Sequence, residues 1–243
     1  MIALGLESAT ELVGAAVADA AGVRAAAWSR GRRRHVESLA PAIEQVLAQA
    51  AIPLSAVEVV VVDVGPGLFT GLRVGVATAQ GLAQGLGIAV LPIGSLEVIA
   101  AAVFASGWPG AVLSVVDARR GEVFTAAYER AGALVRELVA PAVGSPAGLA
   151  AAAQAARAAG GTSEVLAAGD GVLRYADELR ASGVVLAGSG FVAPSPAALV
   201  ALGIEQLAAG AAPVAPAAVR PVYLRPPDVR INWALRQPAP ARG

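Results

Sequence analysis

Four short blocks of this 243-residue chain carry side chains that could do chemistry. The richest runs Asp63-Val-Gly-Pro-Gly-Leu-Phe-Thr-Gly-Leu-Arg-Val-Gly75, a tight Gly-Pro-Gly turn between an apolar β-branched run and a segment of small residues. Strand, turn and helix in that order can cradle a phosphate, because a helix N-terminus offers free N–H groups and a positive dipole end. The block has neither the lysine of a P-loop nor the spacing of a dinucleotide fingerprint, so both of those motifs are excluded. Glu7, in Gly5-Leu-Glu-Ser-Ala-Thr10, and Asp63 each close a candidate strand, where ligand-facing residues belong in an open α/β sheet. Mg²⁺ held by that pair is one reading; a hydrogen-bonded structural role for the carboxylates is favoured. Arg119 and Arg120, in Asp117-Ala-Arg-Arg-Gly121, could grip a phosphate bidentately, but an exposed hairpin turn is the simpler reading. Gly169-Asp-Gly171 offers a nucleoside-side turn or a turn that needs positive φ, and the second is favoured.

The single histidine narrows the chemistry further. His35 has no second histidine or cysteine to join it, so a His-cluster metal centre, a thiolate zinc site and a disulfide are all unavailable. It follows Arg32, Arg33 and Arg34 in a loop expected to be exposed, so no Ser-His-Asp arrangement is credible. The cluster of Arg30 and Arg32 to Arg34 reads as a solvated loop, with a phosphate contact inside a larger complex as the alternative. Charge argues against nucleic-acid binding by this chain alone. Its 18 basic residues, all arginine, balance 18 acidic ones, whereas autonomous binding draws on a basic surface.

The positioning elements follow from periodicity. Strands are expected at 2–6, 11–19 and 23–29, then a helix beginning near Ser38 with Val36, Leu39, Ile43, Val46, Leu47 and Ala50 at helical spacing. Pro41 is tolerable there because first-turn N–H groups have no intrahelical partner to lose. Strand 57–62, helix 70–86, strand 88–92 and helix 95–105 complete a first unit. A second begins the same way, with strands 111–116, 122–129 and 133–140, helix 146–158, strand 163–168, helix 171–181, strand 183–187 and helix 195–209. The repeated order predicts an α/β protein of two similar lobes, 1–107 and 108–224, with a Pro-rich, mostly irregular tail over 225–243. Trp233 in that tail could dock on the body.

Gly71, Gly75, Gly81 and Gly85 fall on one face of helix 70–86, with Thr78 between them. An interior glycine costs a helix about 1 kcal/mol relative to alanine. Several on one face therefore point to close approach by another backbone, either within the chain or from a partner.

Hydrophobic residues make up 56% of the chain and charged residues 15%, enough for a sizeable core. Mean hydropathy is +0.65, yet Gln80, Gln84, Pro92 and Glu97 interrupt the most apolar region, so no membrane span is expected. Glu7 breaks the one N-terminal apolar run, so no signal peptide is expected and the cytoplasm is the expected location.

The Gly65–Gly75 and Asp117–Phe124 blocks, with Gly5–Thr10, His35-Val-Glu-Ser-Leu-Ala-Pro41 and Pro221-Val-Tyr-Leu-Arg225, resemble the bacterial TsaB (YeaZ) family over nearly the whole chain. The resemblance implies a two-lobe actin/Hsp70/hexokinase-like (ribonuclease H-like) fold with a degenerate nucleotide site. It also implies a non-catalytic subunit needed for N6-threonylcarbamoylation of adenosine 37 in tRNAs that read A-starting codons. The implied partners are a TsaD-type subunit in a heterodimer and a TsaE-type ATPase, with a homodimer in isolation and tRNA met only through the complex. Family members dimerise through first-lobe helices, which turns the glycine face toward a partner and selects Leu39, Ile43, Gly71, Gly75, Thr78 and Gly81 as interface residues. No catalytic or metal residue is implied. Arg119, Gly169 and Gly171 are the candidates for touching a nucleotide, and a weak ATP or ADP contact at or near the TsaD interface stays open. The family usually has Asp where Glu7 stands, which weakens a metal role further. A free-standing ATP-dependent small-molecule kinase is the alternative, missing glycines in its first turn and an Asp base; a homodimeric scaffold unrelated to tRNA is a third.

Overall fold

The computed structural model describes residues 1–31 and 35–225. Arg32 to Arg34, the side chains of His35 and Val36, and the tail beyond Arg225 with Trp233 therefore lie outside the described residues.

Two five-stranded sheets share one topology. The first contains β1 (Ala3–Glu7), β2 (Leu12–Asp19), β3 (Gly22–Arg30), β4 (Val59–Asp63) and β5 (Ala89–Ile93), in the order β3-β2-β1-β4-β5. The second contains β6 (Ala111–Arg119), β7 (Glu122–Ala131), β8 (Leu134–Gly144), β9 (Val165–Ala168) and β10 (Val185–Leu186), in the order β10-β9-β6-β7-β8. In each, three antiparallel strands lead and two parallel strands follow. The doubled element order of the sequence is thus a doubled sheet.

The run Val59-Val-Val-Val-Asp63 is buried at every position because β4 lies between parallel neighbours with helices on both faces. On the outer face lie α1 (His35–Gln49) and α2 (Phe69–Leu86), whose Leu39, Ile43, Val46, Val76 and Ala79 meet Val60 and Val62. On the inner face lies α7 (Pro196–Ala208), the last α-helix among the described residues, whose Leu199, Val200 and Leu202 meet Ala3, Val59 and Val61. Gly5 and Gly203 permit that close docking: a Cβ on Gly5 would come within 2.8 Å of Val200 Cβ, and one on Gly203 within 2.7 Å of Val61 Cγ2. The inner face of the second sheet takes α3 (Ser95–Ala105) through Leu96, Ile99 and Phe104. Its outer face takes α4 (Leu149–Gly160), α5 (Gly171–Arg174) and α6 (Ala176–Ala181). The inner helices α3 and α7 touch each other, and Glu97 accepts a hydrogen bond from Gln206 Nε2 at 2.7 Å.

Two local expectations change. Helix α1 starts at His35 rather than near Ser38, leaving Pro41 inside it. Pro41 and Glu37 are both exposed, so the carbonyl that proline leaves unpaired faces water. The expected helix 171–181 is broken at Tyr175, whose φ of −119° and ψ of 36° leave the helical region while its ring enters the second core.

Candidate functional site

The ends of β1, β4, β6 and β9 face one another across a cleft between the two sheets. It encloses about 630 Å³ and is lined from both sides, by Thr10, Glu11, Pro66 to Phe69 and Arg73 on one and by Val116 to Arg120, Phe124 and Asp170 on the other. Residues 222 to 225 close its rim. Ligands of open α/β sheets bind at such strand ends.

On the first side the loops are tied tightly together. Leu68 N donates to Ala9 O at 2.7 Å, and a Cβ on Gly67 would stand 2.2 Å from the same oxygen. Asp63 Oδ1 accepts from Gly65 N at 2.7 Å and from Ser95 Oγ at 2.6 Å, while Glu7 Oε1 accepts from Ala9 N at 2.7 Å. Glu7 and Asp63 are fully buried as neighbours, and Glu7 Oε2 and Asp63 Oδ2 meet no hydrogen-bond donor. Burial first, and then the Asp63 charge, push the Glu7 carboxyl well above its ordinary range; burial also raises Asp63. Two adjacent buried carboxyls raised in this way favour one shared proton over two charges. Neither side chain reaches the cleft lining. They act as struts beneath the turn.

The glycine face of α2 divides. Ser8 Oγ donates to Gly71 O at 2.9 Å, and a Cβ on Gly75 would lie 2.3 Å from that hydroxyl. Gly71 and Gly75 therefore accommodate the chain's own β1 loop. Leu39 and Ile43 are likewise buried in the first core, so these four residues are not available surface, contrary to the sequence expectation. Thr78 is half-buried, and Gly81, like Gly85, is exposed with open space around it.

The second side is charged. Arg119 N donates to Asp117 Oδ1 at 2.9 Å, Arg119 NH1 to Asp117 Oδ2 at 3.2 Å, and Arg119 NH2 to Glu11 Oε1 at 3.0 Å. Arg174 NH1 reaches the same Asp117 Oδ2 at 2.9 Å, and Asp117 N donates to Asp170 Oδ1 at 2.8 Å. The turn holds Arg119, Arg120 and Gly121 at φ of 65°, 56° and 76°, a left-handed run forced by the two-residue hairpin between Arg119 and Glu122. Arg119 thus lines the cleft but is engaged internally. Gly169 and Gly171 do not line it. A Cβ on Gly169 would stand 2.1 Å from Val115 O and one on Gly171 2.6 Å from Val115 Cγ1, and the Gly169 N–H already donates to Phe191 O at 2.8 Å. Those glycines let the β9 turn lie against β6, and Gly169 at φ of 111° is the positive-φ turn favoured for this segment, while neither glycine lines the cleft as the nucleotide alternative required.

A cluster not anticipated from the sequence sits at the rim. The Arg73 guanidinium lies 3.8 Å over the Phe69 ring, Phe69 and Tyr223 centroids are 5.3 Å apart, and Arg73 Nε donates to Tyr223 Oη at 3.2 Å. The i, i+4 pairing of an aromatic and an arginine on α2 was its legible half. Among the described residues no group of three or more His, Cys, Asp or Glu could hold a metal ion, and no helix is long and apolar enough to cross a membrane.

Comparison with known proteins bears on this cleft. Residues 29–188 match the family model described as "TsaD: tRNA N6-adenosine threonylcarbamoyltransferase". The chain is 39% identical over 93 residues to the tRNA threonylcarbamoyladenosine biosynthesis protein TsaB of Haemophilus influenzae, covering 38% of this chain and 39% of that one. The Escherichia coli TsaB is 33% identical over 98 residues, 40% of this chain and 42% of its own. The matched stretches thus span less than half the length of these two relatives. Among solved structures, YeaZ from Pseudomonas aeruginosa superposes with a TM-score of 0.78 at 26% identity, over 92% of this chain and 99% of that one. An ROK hexokinase from Thermus thermophilus, at a TM-score of 0.51 and 14% identity over 84% and 98% of the two chains, shares the fold alone. The two lobes accordingly form the actin- and hexokinase-like α/β fold expected from the repeated element order. Matched over residues 29–188, the chain belongs to the family that the TsaD model describes, and its TsaB relatives and near-complete YeaZ counterpart group it with TsaB/YeaZ there.

Proposed function

We propose that this chain is an accessory subunit in making threonylcarbamoyladenosine in tRNA, which binds a TsaD-type subunit and keeps it competent without performing the transfer. The observation that carries this reading is the second-lobe turn. A phosphate-handling enzyme of this fold needs cations and backbone amides turned toward the phosphates at that place. Here Arg119 is committed to Asp117 and Glu11, Arg174 to Asp117, and the Gly169 amide to Phe191. The biosynthetic role in the names of the Haemophilus influenzae and Escherichia coli relatives supports the pathway. The balanced charge supports meeting tRNA through the complex. A TsaE-type ATPase completes the assembly, the isolated chain pairs with itself, and the cytoplasm is where this machinery places it.

The partner surface in this reading is the outward half of α2. Thr78, Gly81 and Gly85 lie there with open space over the two glycines, so another helix can approach the backbone closely. The test mixes the purified chain with a TsaD-type subunit in analytical ultracentrifugation. Wild type is expected to form a heterodimer, and Gly81→Trp to lose it with an unchanged melting temperature. A Gly81→Trp chain that still pairs normally would move the interface elsewhere. Threonylcarbamoyl transfer or ATP turnover by the chain alone would overturn the accessory role.

A further inference from the structure

The interlobe cleft has unequal walls. Val116, Ala118, Phe124, Leu68, Val222 and Leu224 make most of its lining apolar. Its rim collects Phe69 at 50% exposure and Tyr223 at 45%, two of the largest apolar surfaces left in water among the described residues. A concave, mainly apolar pocket with a few convergent polar groups is the usual form of a small-molecule site.

The charges decide what kind of molecule fits. Four guanidinium groups line the cleft, those of Arg73, Arg119, Arg120 and Arg225. Arg119 is paired with Asp117 and Glu11, Arg225 with Glu122, and Arg120 is engaged as well. Arg73 differs. Its contacts are the Phe69 face and the Tyr223 hydroxyl, and no carboxylate meets it among the described residues. Those contacts hold the guanidinium in one place while leaving its terminal nitrogens for an incoming acceptor, which is the preorganised form of an anion contact. One uncommitted cation compensates one negative charge. A triphosphate entering the same space would bring several, against the carboxylates of Glu11, Asp117 and Asp170.

We infer that the cleft binds a small organic monoanion with an apolar body, its charge paired with Arg73 and its body against Val116, Phe124 and Leu68. This site stands apart from the accessory-subunit reading, since it involves neither the outer half of α2 nor any partner. Anilinonaphthalene sulfonate, an aryl monoanion, is the probe. Fluorescence titration of the full chain is expected to show one saturable site. Arg73→Gln should weaken it by about tenfold or more through loss of a charge-assisted hydrogen bond. Phe69→Ser, which removes the ring on which Arg73 lies, should weaken it comparably. Both positions are exposed, so melting temperatures should match wild type and separate lost binding from lost fold. Decanoate should displace the dye, and MgATP should not. Absence of saturable binding, wild-type affinity in both variants, or displacement by MgATP in preference to decanoate would each overturn the assignment.

Discussion

The turns after β1 and β6 occupy equivalent places in two sheets of the same topology, yet they are held by opposite means. Under the first, two adjacent carboxyls are sealed from water, where burial favours one shared proton over two charges, with Gly65, Gly67 and Gly75 drawing loop and helix together. Under the second, Asp117 gathers two guanidiniums that remain about half in solvent, and arginine occupies backbone positions at positive φ. One turn is stabilised by exclusion of water and the other by pairing of ions. A buried polar pair that loses a member leaves a desolvated group with nothing to replace its partner. Half-exposed guanidiniums that lose a carboxylate are rehydrated. The lobe with fewer formal charges should therefore be the more fragile.

That asymmetry can be broken experimentally, starting with the largest effect. Glu7→Ala is expected to cost about 3 kcal/mol or more in urea denaturation, because it opens a cavity and strands Asp63 in the interior. Glu7→Gln should recover most of this, since an amide can donate to Asp63 as the protonated carboxyl does. Equal losses from the two variants would contradict the shared proton. Asp117→Ala should cost less, about 1–2 kcal/mol, even though it removes three donated hydrogen bonds. A greater loss from Asp117→Ala than from Glu7→Ala would reverse the comparison.

A pH titration sharpens it from a third position. Glu97, where α3 meets α7, is raised to about 7, chiefly by burial and against the hydrogen bond from Gln206, with the nearby Glu137 charge adding to the rise. The folded chain then binds more protons than the unfolded chain between the ordinary glutamate value of 4.5 and about 7. Stability from this group is full below that window and declines as pH rises through it, by up to about 3 kcal/mol. Melting temperature should fall across the interval, and Glu97→Gln should flatten the fall; an unchanged slope would remove Glu97 as its source. The smallest effect belongs to the hairpin. Arg120→Asn creates the Asn-Gly pair that suits a left-handed two-residue turn and should add about 0.5 kcal/mol, read as a shifted urea midpoint. A loss instead would mean that the contacts of the Arg120 side chain outweigh its backbone strain.

The sequence was most readable where a pattern is local. The valine run of β4, the strand triplets before each first helix and the glycine-marked turns all lie where periodicity placed them. The α2 glycines show the limit of that kind of reading. A helical wheel puts Gly75 and Gly81 on one face, but it cannot say that Ser8, 67 residues away in sequence, covers only the first of them. The cleft is less legible for the same reason. Its defining contacts join Glu11 to Arg119 and Arg73 to Tyr223, pairs separated by 108 and 150 residues. Only the folded chain selects them from all the other arginines and acids. The break at Tyr175 is also tertiary, since its ring lies in a core assembled from both ends of the second lobe.

The segment along the rim of the cleft sets a limit on how far the lobes can separate. Val222 N is bonded to Val64 O on the first lobe, and three residues later Arg225 is paired with Glu122 and donates to Arg119 O on the second. Three residues of extended chain reach at most about 11 Å to the Arg225 backbone, from which the side chain extends to Glu122. While both ends hold, the segment works as a door chain: the lobes can rock inside that length but cannot swing wide, as a domain closing around a bulky substrate requires. Opening the lobes beyond that length would require release of the ion pair at the rim. High salt should open that restraint from the Arg225 end first, because the Val222 end is a backbone hydrogen bond that ionic screening barely touches.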